Sequence, residues 1–160
     1  MNFRTHLYAP LAALLLVASV AQSSGAESDV PLDLTTFPRG AVEIGTARQP
    51  QHFKVWIADT PERQTQGLMF VRDLPAELGM LFIEAAARPM AFWMKNTYIE
   101  LDMLFIDADH HIVKIAAHAP PLSLAIINSD APVIAVLEIK GGEAARRGIQ
   151  LHDKVSWPRT

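Results

Sequence analysis

The stretch "LDMLFID", residues 101–107, decides the fold, because a period of two leaves both of its faces apolar. Leu101, Met103 and Phe105 project to one side, and Asp102, Leu104 and Ile106 to the other. Such a strand is covered on both sides, and Asp102 is its one exception. "VIAVLEIK" (133–140) repeats the pattern: Val133, Ala135, Leu137 and Ile139 share one face, while Ile134 and Val136 share the other with Glu138. These two segments predict the buried centre of a β-sheet.

The neighbouring segments keep the same period. "AVEIGT" (41–46) and "HFKVWIAD" (52–59) alternate as strands around a turn at "ARQPQ", and "GMLFIE" (79–84) and "MAFWMKNT" (90–97) are further strand candidates. "HIVKIAAHA" (111–119) pairs with 101–107 as a hairpin through the Asp-Ala-Asp-His turn at 107–110. In "TPERQTQG" (60–67), Thr60 is placed as an N-cap, Pro61 at the first helical position and Gly67 as the stop, which predicts one or two helical turns. Residues 119–132 hold three prolines and predict a long crossing loop; "GGEAARRG" (141–148) is a second short helix, and "DKVSW" (153–157) is a closing strand. The expected fold is mainly β: a single antiparallel sandwich or barrel, jelly-roll-like, with one or two short helices.

Half of the 160 residues are hydrophobic and 19% are charged, which suits one packed domain. At the N-terminus Arg4 and His6 precede "LAALLLVASV" (11–20) and the small residues of "AQSSGA". This order is that of a cleavable export signal over residues 1–26, cut after Ala21 or Ala26, and the apolar run is well short of a membrane span. Residues 27–40 form a tether, and 41–160 the domain. The expected location is periplasmic or extracellular, with no stable membrane insertion once the signal is removed. Loss of residues 1–26 removes one basic residue and no acid, making the chain more acidic than its net charge of −3. Acidity without a basic run excludes nucleic acid as a partner. There is no cysteine, so disulfides, thiol catalysis and Cys-ligated zinc are excluded outright.

Four polar residues stand out in the apolar strands: Lys95, Asn96, Asp102 and Glu138. An unpaired charge in such a place costs several kcal/mol, so each needs a partner or access to a cleft. If "FWMKNT" is a strand, Trp93, Lys95 and Thr97 share one face, and Trp93 is a flat stacking wall beside a cation. One reading makes these groups an internal ion-pair set that organises the core. The other gathers Trp93, Lys95, Asn96, Thr97, Asp102 and Glu138 around a pocket, with Arg63 and Arg72 at its rim for a carboxylate or phosphate.

The ordered motifs "ERQTQGLMFVRDL" (62–74), "GMLF" (79–82), "FWMKNT" (92–97), "LDMLFID", "VLEIKGG" (136–142) and "GIQLHDKV" (148–155) resemble the uncharacterised domain-of-unknown-function family 192 across about residues 51–156. The resemblance implies a small, jelly-roll-like all-β domain, frequently exported, and supplies no reaction. The family's motif positions fall on Arg63, Gly67, Leu68, Met69, Arg72, Gly79, Met80, Phe92–Thr97, Asp102, Asp107, Glu138, Gly141 or Gly142, and Asp153. The chain departs from the family pattern at Glu100, usually proline, and at Ala135, commonly aromatic.

The expected function is therefore a non-enzymatic module that binds a small polar or acidic molecule, or a carbohydrate, at the "FWMKNT" cleft. No cofactor or resident metal is expected. The alternatives are a carbohydrate hydrolase using Asp102 with Glu138 or Glu100 as acid and base, and a copper carrier using thioethers among Met69, Met80, Met90, Met94 and Met103. His110, His111 and His118 are a weaker metal set, since neighbours on a strand point to opposite faces.

Overall fold

The computed structural model describes Pro31 and residues 33–158; the expected export signal lies outside the described residues. After a 3₁₀ turn at Leu34–Thr36, the elements are β1 (Arg39–Gly45), β2 (Gln51–Ala58), α1 (Pro61–Gln66), β3 (Leu78–Arg88), β4 (Ala91–Phe92), β5 (Leu101–Ile106), β6 (Ile112–Ala119), β7 (Ile127–Asn128), β8 (Val133–Lys140), α2 (Glu143–Arg147) and β9 (Lys154–Ser156). No helix among the described residues is long and apolar enough to cross a membrane.

Seven strands form one sheet in the order β6-β5-β8-β3-β2-β1-β9, and β4 pairs with β7 in a separate two-stranded arm. The main sheet curls into a half-barrel. Its two edges meet at one end, where His111 bridges Lys154 and the Val155 amide donates to the His110 carbonyl at 2.8 Å. The mainly β, barrel-like expectation therefore holds, and the strands β5 and β8 lie side by side within the sheet. One pairing departs from the antiparallel expectation: β2 and β3 run parallel, in register from Lys54–Leu78 to Ala58–Phe82. A parallel pair needs a long crossover, and residues 59–77, including α1, supply it.

Alternation sorts the side chains as the sequence indicates except at the start of β8, where the register with β3 shifts and Val133 packs with Val136 while Ile134 packs with Ala135, Leu137 and Ile139. Leu81 of β3, Leu104 and Ile106 of β5, and Ala135, Leu137 and Ile139 of β8 join Val42, Ile44, Phe53 and Val55 in the core on one side of the sheet. Met80 and Phe82, Met103 and Phe105, and Val136 join Phe37, Leu68, Leu74, Met90 and Met94 on the other. The second side is covered by α1, the segment after it, and the arm of β4 and β7.

Two strands at the centre approach unusually closely. A Cβ at Gly79 would lie 2.6 Å from the Glu138 carbonyl oxygen, so only glycine fits there. Gly79→Ala is expected to lower unfolding free energy by roughly 1–3 kcal/mol, the usual range for overpacking. Urea denaturation of the two proteins checks this.

The "FWMKNT" segment differs from its expected form. The strand covers only Ala91 and Phe92, and the chain then turns at Lys95 and Asn96. Asn96 adopts φ 56°, a left-handed conformation that asparagine tolerates better than most residues. Its carbonyl accepts from the Phe70 amide at 2.9 Å, which ties this turn to the segment following α1. The crossing loop at 119–132 is built against the same segment. Met94 donates to the Ser123 carbonyl, Leu122 to that of Thr97, and Ser129 to that of Met90.

Candidate functional site

α1 forms where the cap signals place it. The Thr60 hydroxyl accepts from the Arg63 amide, Pro61 opens the first turn, and Gly67 at φ 51° ends it. Only a small residue suits that end, since a Cβ on Gly67 would approach the Phe82 ring to 3.1 Å. The chain can therefore turn tightly over Phe82 and carry Leu68 and Met69 onto the second side of the sheet. Facing it, β4 is held by its pairing with β7 and by Phe92, which packs edge-to-face on Phe82 at 5.1 Å and on Phe105 at 5.9 Å. Ser129 anchors the arm: its hydroxyl accepts from the Met90 amide and donates to the Ala131 carbonyl.

Between these two walls lies a cleft of about 410 Å³, a size suited to a small molecule. α1 and its C-terminal turn contribute Gln64, Thr65, Gln66, Leu68 and Met69; the opposite wall contributes Met90, Phe92, Trp93 and Thr97. Phe82 lines it from β3, Arg88 comes from the end of that strand, and Glu138 from β8. Trp93 is 45% exposed, so much of its ring is open to solvent.

Glu138 is the unusual group. It is 4% exposed, and its partners across the sheet are Met80 and Met103. No hydrogen bond or ion pair to its carboxyl exists among the described residues. Burial alone pushes its pKa up to about 8. At neutral pH the side chain is therefore mainly the neutral acid, with one O–H to donate and oxygen lone pairs to accept. The Arg88 guanidinium, the one cation of the lining, is held by Glu84 at 2.7 Å.

Of the residues singled out from sequence, Trp93, Thr97 and Glu138 line this cleft. The others are placed elsewhere. Arg63 pairs with Asp59 at 2.7 Å and sits over the Phe37 ring. Arg72 lies 4.8 Å from the Tyr98 ring centre. Lys95 is exposed, with its ammonium 5.2 Å from the Trp93 ring, because the turn replaces the expected strand. Asn96 is spent on that turn. None of these four borders the cavity, so they do not supply the cationic lining expected for an acidic ligand.

Asp102 has a different role altogether. It pairs with Ile139 in register, whereas Glu138 pairs with Met103, so the two carboxyls project from opposite sides of the sheet. They cannot act across one cleft, which removes the acid-base pair on which the hydrolase alternative rested. Asp102 is fully buried and accepts three backbone N–H groups: His118 and Gly142 at one oxygen, at 2.9 and 3.0 Å, and Ala144 at the other, at 2.9 Å. It fixes the start of α2 against the hairpin. Glu100, the second partner considered, pairs at the surface with His118 at 3.0 Å.

The methionines divide as well. Met80, Met94 and Met103 are packed in the core, while Met69 and Met90 reach the cleft from its two walls. His110 stacks on Trp157 at 4.3 Å, away from His118. Among the described residues no three His, Asp or Glu side chains converge.

Gln64, Gln66, Phe82 and Arg88 were not singled out from sequence as site residues, and Met69 and Met90 only as thioethers of the copper alternative. Met69, in "GLM", and the polar run of α1 carried a usable signal: a helix too short to bury a face, followed by a glycine turn, ends at a wall rather than in a core. Arg88 carried none, because β3 runs four residues beyond its apolar pattern.

The DUF192 family pattern, described as "Uncharacterized ACR, COG1430", matches residues 42–157. Two solved structures are similar. One, described as a "putative transcription regulator" from Sinorhizobium meliloti, is 39% identical over 76% of this chain and 95% of that chain, with a TM-score of 0.74. The other, a protein of unknown function from Novosphingobium aromaticivorans, is 36% identical over 80% of this chain and 91% of that chain, with a TM-score of 0.76. No curated protein matches the sequence. With the family pattern spanning nearly the whole half-barrel, the chain belongs to the uncharacterised DUF192 family.

Proposed function

We propose that the chain is a non-enzymatic binding module, exported by its N-terminal segment, whose cleft between α1 and β4 holds a small ligand. The single observation that carries this reading is Glu138: a largely buried carboxyl that opens on an aromatic-lined cavity and takes no hydrogen bond from a donor among the described residues. Polar groups this deep in a sheet ordinarily have protein hydrogen-bond partners, so a carboxyl whose oxygens are reached only from the cleft marks the place where a partner arrives from outside. Trp93, Phe92 and Phe82 supply apolar area, and Gln64 and Thr97 add polar atoms at the walls.

The lining favours a neutral or cationic ligand over an acidic one. Glu138 repels an anion once ionised, and the free cations Lys95 and Arg72 lie outside the cavity. A carbohydrate or another polyhydroxylated molecule fits the stacking wall.

The test is titration of the isotope-labelled protein with a panel of small sugars and amines, followed by NMR. Ligands that bind should shift the Trp93 indole and the Met69 and Met90 methyl signals. Trp93→Ala should weaken binding about 10-fold, in line with about 1.4 kcal/mol for the loss of one stacking face. Binding that leaves all three sets of signals unmoved would remove the reading.

A further inference from the structure

The identity of the group that meets Glu138 follows from its surroundings, given the ligand-binding reading above. We propose that the ligand is anchored by a cationic nitrogen, an ammonium or guanidinium, which enters beside Glu138 in the aromatic lining and displaces the carboxyl proton.

The chain supplies its own contrast for what a purely structural buried carboxyl looks like. Asp102, one strand away, is satisfied by three backbone N–H groups at 2.9 to 3.0 Å. Glu138 receives none, and its strand partners are the thioethers of Met80 and Met103. A carboxyl so placed is mainly neutral near pH 7, and a positive charge close by favours its ionised form. Among the described residues no cation does so. On α1, Arg63 is held by Asp59, and Glu62 is a solvated acid; on β3, Arg88 is held by Glu84. Asp102 on β5 faces the other side of the sheet, and Lys95 in the 93–97 turn lies over Trp93. In the segment after α1, Arg72 lies over Tyr98 and Asp73 faces Lys140 of β8. Of all these, only Arg88 touches the cleft.

The remaining lining suits a cation. Phe82, Phe92 and Trp93 present π-systems, which attract a desolvated ammonium or guanidinium. Met69 and Met90 add polarisable thioethers from opposite walls. A neutral hydroxyl would gain an ordinary hydrogen bond from Glu138, whereas a charged N–H donor gains one about twice as strong. The exchange balances simply. The ligand arrives as R–NH₃⁺ and keeps its protons; Glu138 passes from COOH to COO⁻, and its proton goes to solvent.

The test uses the mature chain with three probes: n-butylammonium, n-butylguanidinium and the neutral 1-butanol, beside a set of monosaccharides. With Glu138 titrating at about 8, cation affinity in the wild type should rise about 100-fold between about pH 6 and about pH 9, and butanol affinity should stay flat. Calorimetry near pH 7 in buffers of differing ionisation enthalpy should show close to one proton released per cation bound. Glu138→Gln should lose both the pH dependence and the preference for the cation over butanol; if that variant does not fold, the proton release in the wild type decides alone. Sugars or butanol bound in the cleft more tightly than either cation, with no proton released, would overturn the cationic anchor and leave the binding module standing. Failure of every probe to perturb the Trp93, Met69 and Met90 signals would overturn both.

Discussion

Glu138→Gln becomes more stable than the wild-type chain as the pH is raised, by on the order of 5 kcal/mol at about pH 9. The sign follows from the direction of the shift. In the unfolded chain this carboxyl titrates near its ordinary value of 4.5; in the folded chain burial moves it to about 8. Below the lower value both states carry the proton, and the group makes no difference to stability. Between the two values the folded state holds a proton that the unfolded state has released, so stability falls with each rise in pH. Above about 8 both states are ionised and the loss levels off. Glutamine is a neutral isostere of the protonated acid and follows none of this. The two proteins should thus have similar unfolding free energies near about pH 4 and diverge steadily to about pH 9. Urea unfolding at intervals across that range measures the divergence, and the remaining titrating groups cancel in the difference. Parallel curves for the two proteins would mean that Glu138 is already paired or solvated, and the cleft reading would lose its anchor.

The strands were legible in the sequence because burial on both sides leaves an alternating apolar pattern that only a central strand shows. β5 and β8 match their predicted segments within a residue, and the caps of α1 sit on Thr60 and Gly67. Two features were hidden. The parallel pairing of β2 with β3 depends on where the chain returns after α1, and no local pattern encodes that. "FWMKNT" alternates like a strand, yet its residues beyond Phe92 are fixed by contacts from far along the chain: Ser123 to Met94, and Phe70 to Asn96. Tertiary partners of this kind override a short period-two pattern. The same cause accounts for the site. Alternation placed Glu138 correctly on the side opposite Leu137, and it likewise put Asp102 with Leu104 and Ile106. What it could not give was the register between β5 and β8, which sets Asp102 against Ile139 and so turns the two carboxyls away from each other. Arg63 and Arg72 were expected at the rim and Lys95 in the lining, but their charges lie over Phe37, Tyr98 and Trp93 and none of the three lines the cavity.

Asp102→Ala should behave in the opposite way to Glu138→Gln and destabilise the chain by roughly 3–5 kcal/mol at neutral pH, since three backbone N–H groups lose their acceptor at about 1–3 kcal/mol for each one left buried. Alanine leaves the amides of His118, Gly142 and Ala144 without an acceptor, and each orphaned buried donor is costly. Asp102→Asn is the sharper probe because it keeps the volume. One amide oxygen can still receive His118 and Gly142, but the NH₂ then faces the Ala144 N–H, donor against donor. About 1–3 kcal/mol should be lost, the cost of one unsatisfied buried group. Hydrogen exchange localises the damage: the amides of Gly142 and Ala144 should lose protection first, since the carboxyl holds the start of α2 and little else does. The Gly142 N-cap contributes no side-chain bond of its own. Ligand affinity at the cleft should be unchanged in any Asp102 variant that remains folded, because the carboxyl lies across the sheet from Glu138. An Asp102→Asn protein of undiminished stability that failed to bind ligand would reverse the assignment and make Asp102, rather than Glu138, the group that meets the ligand.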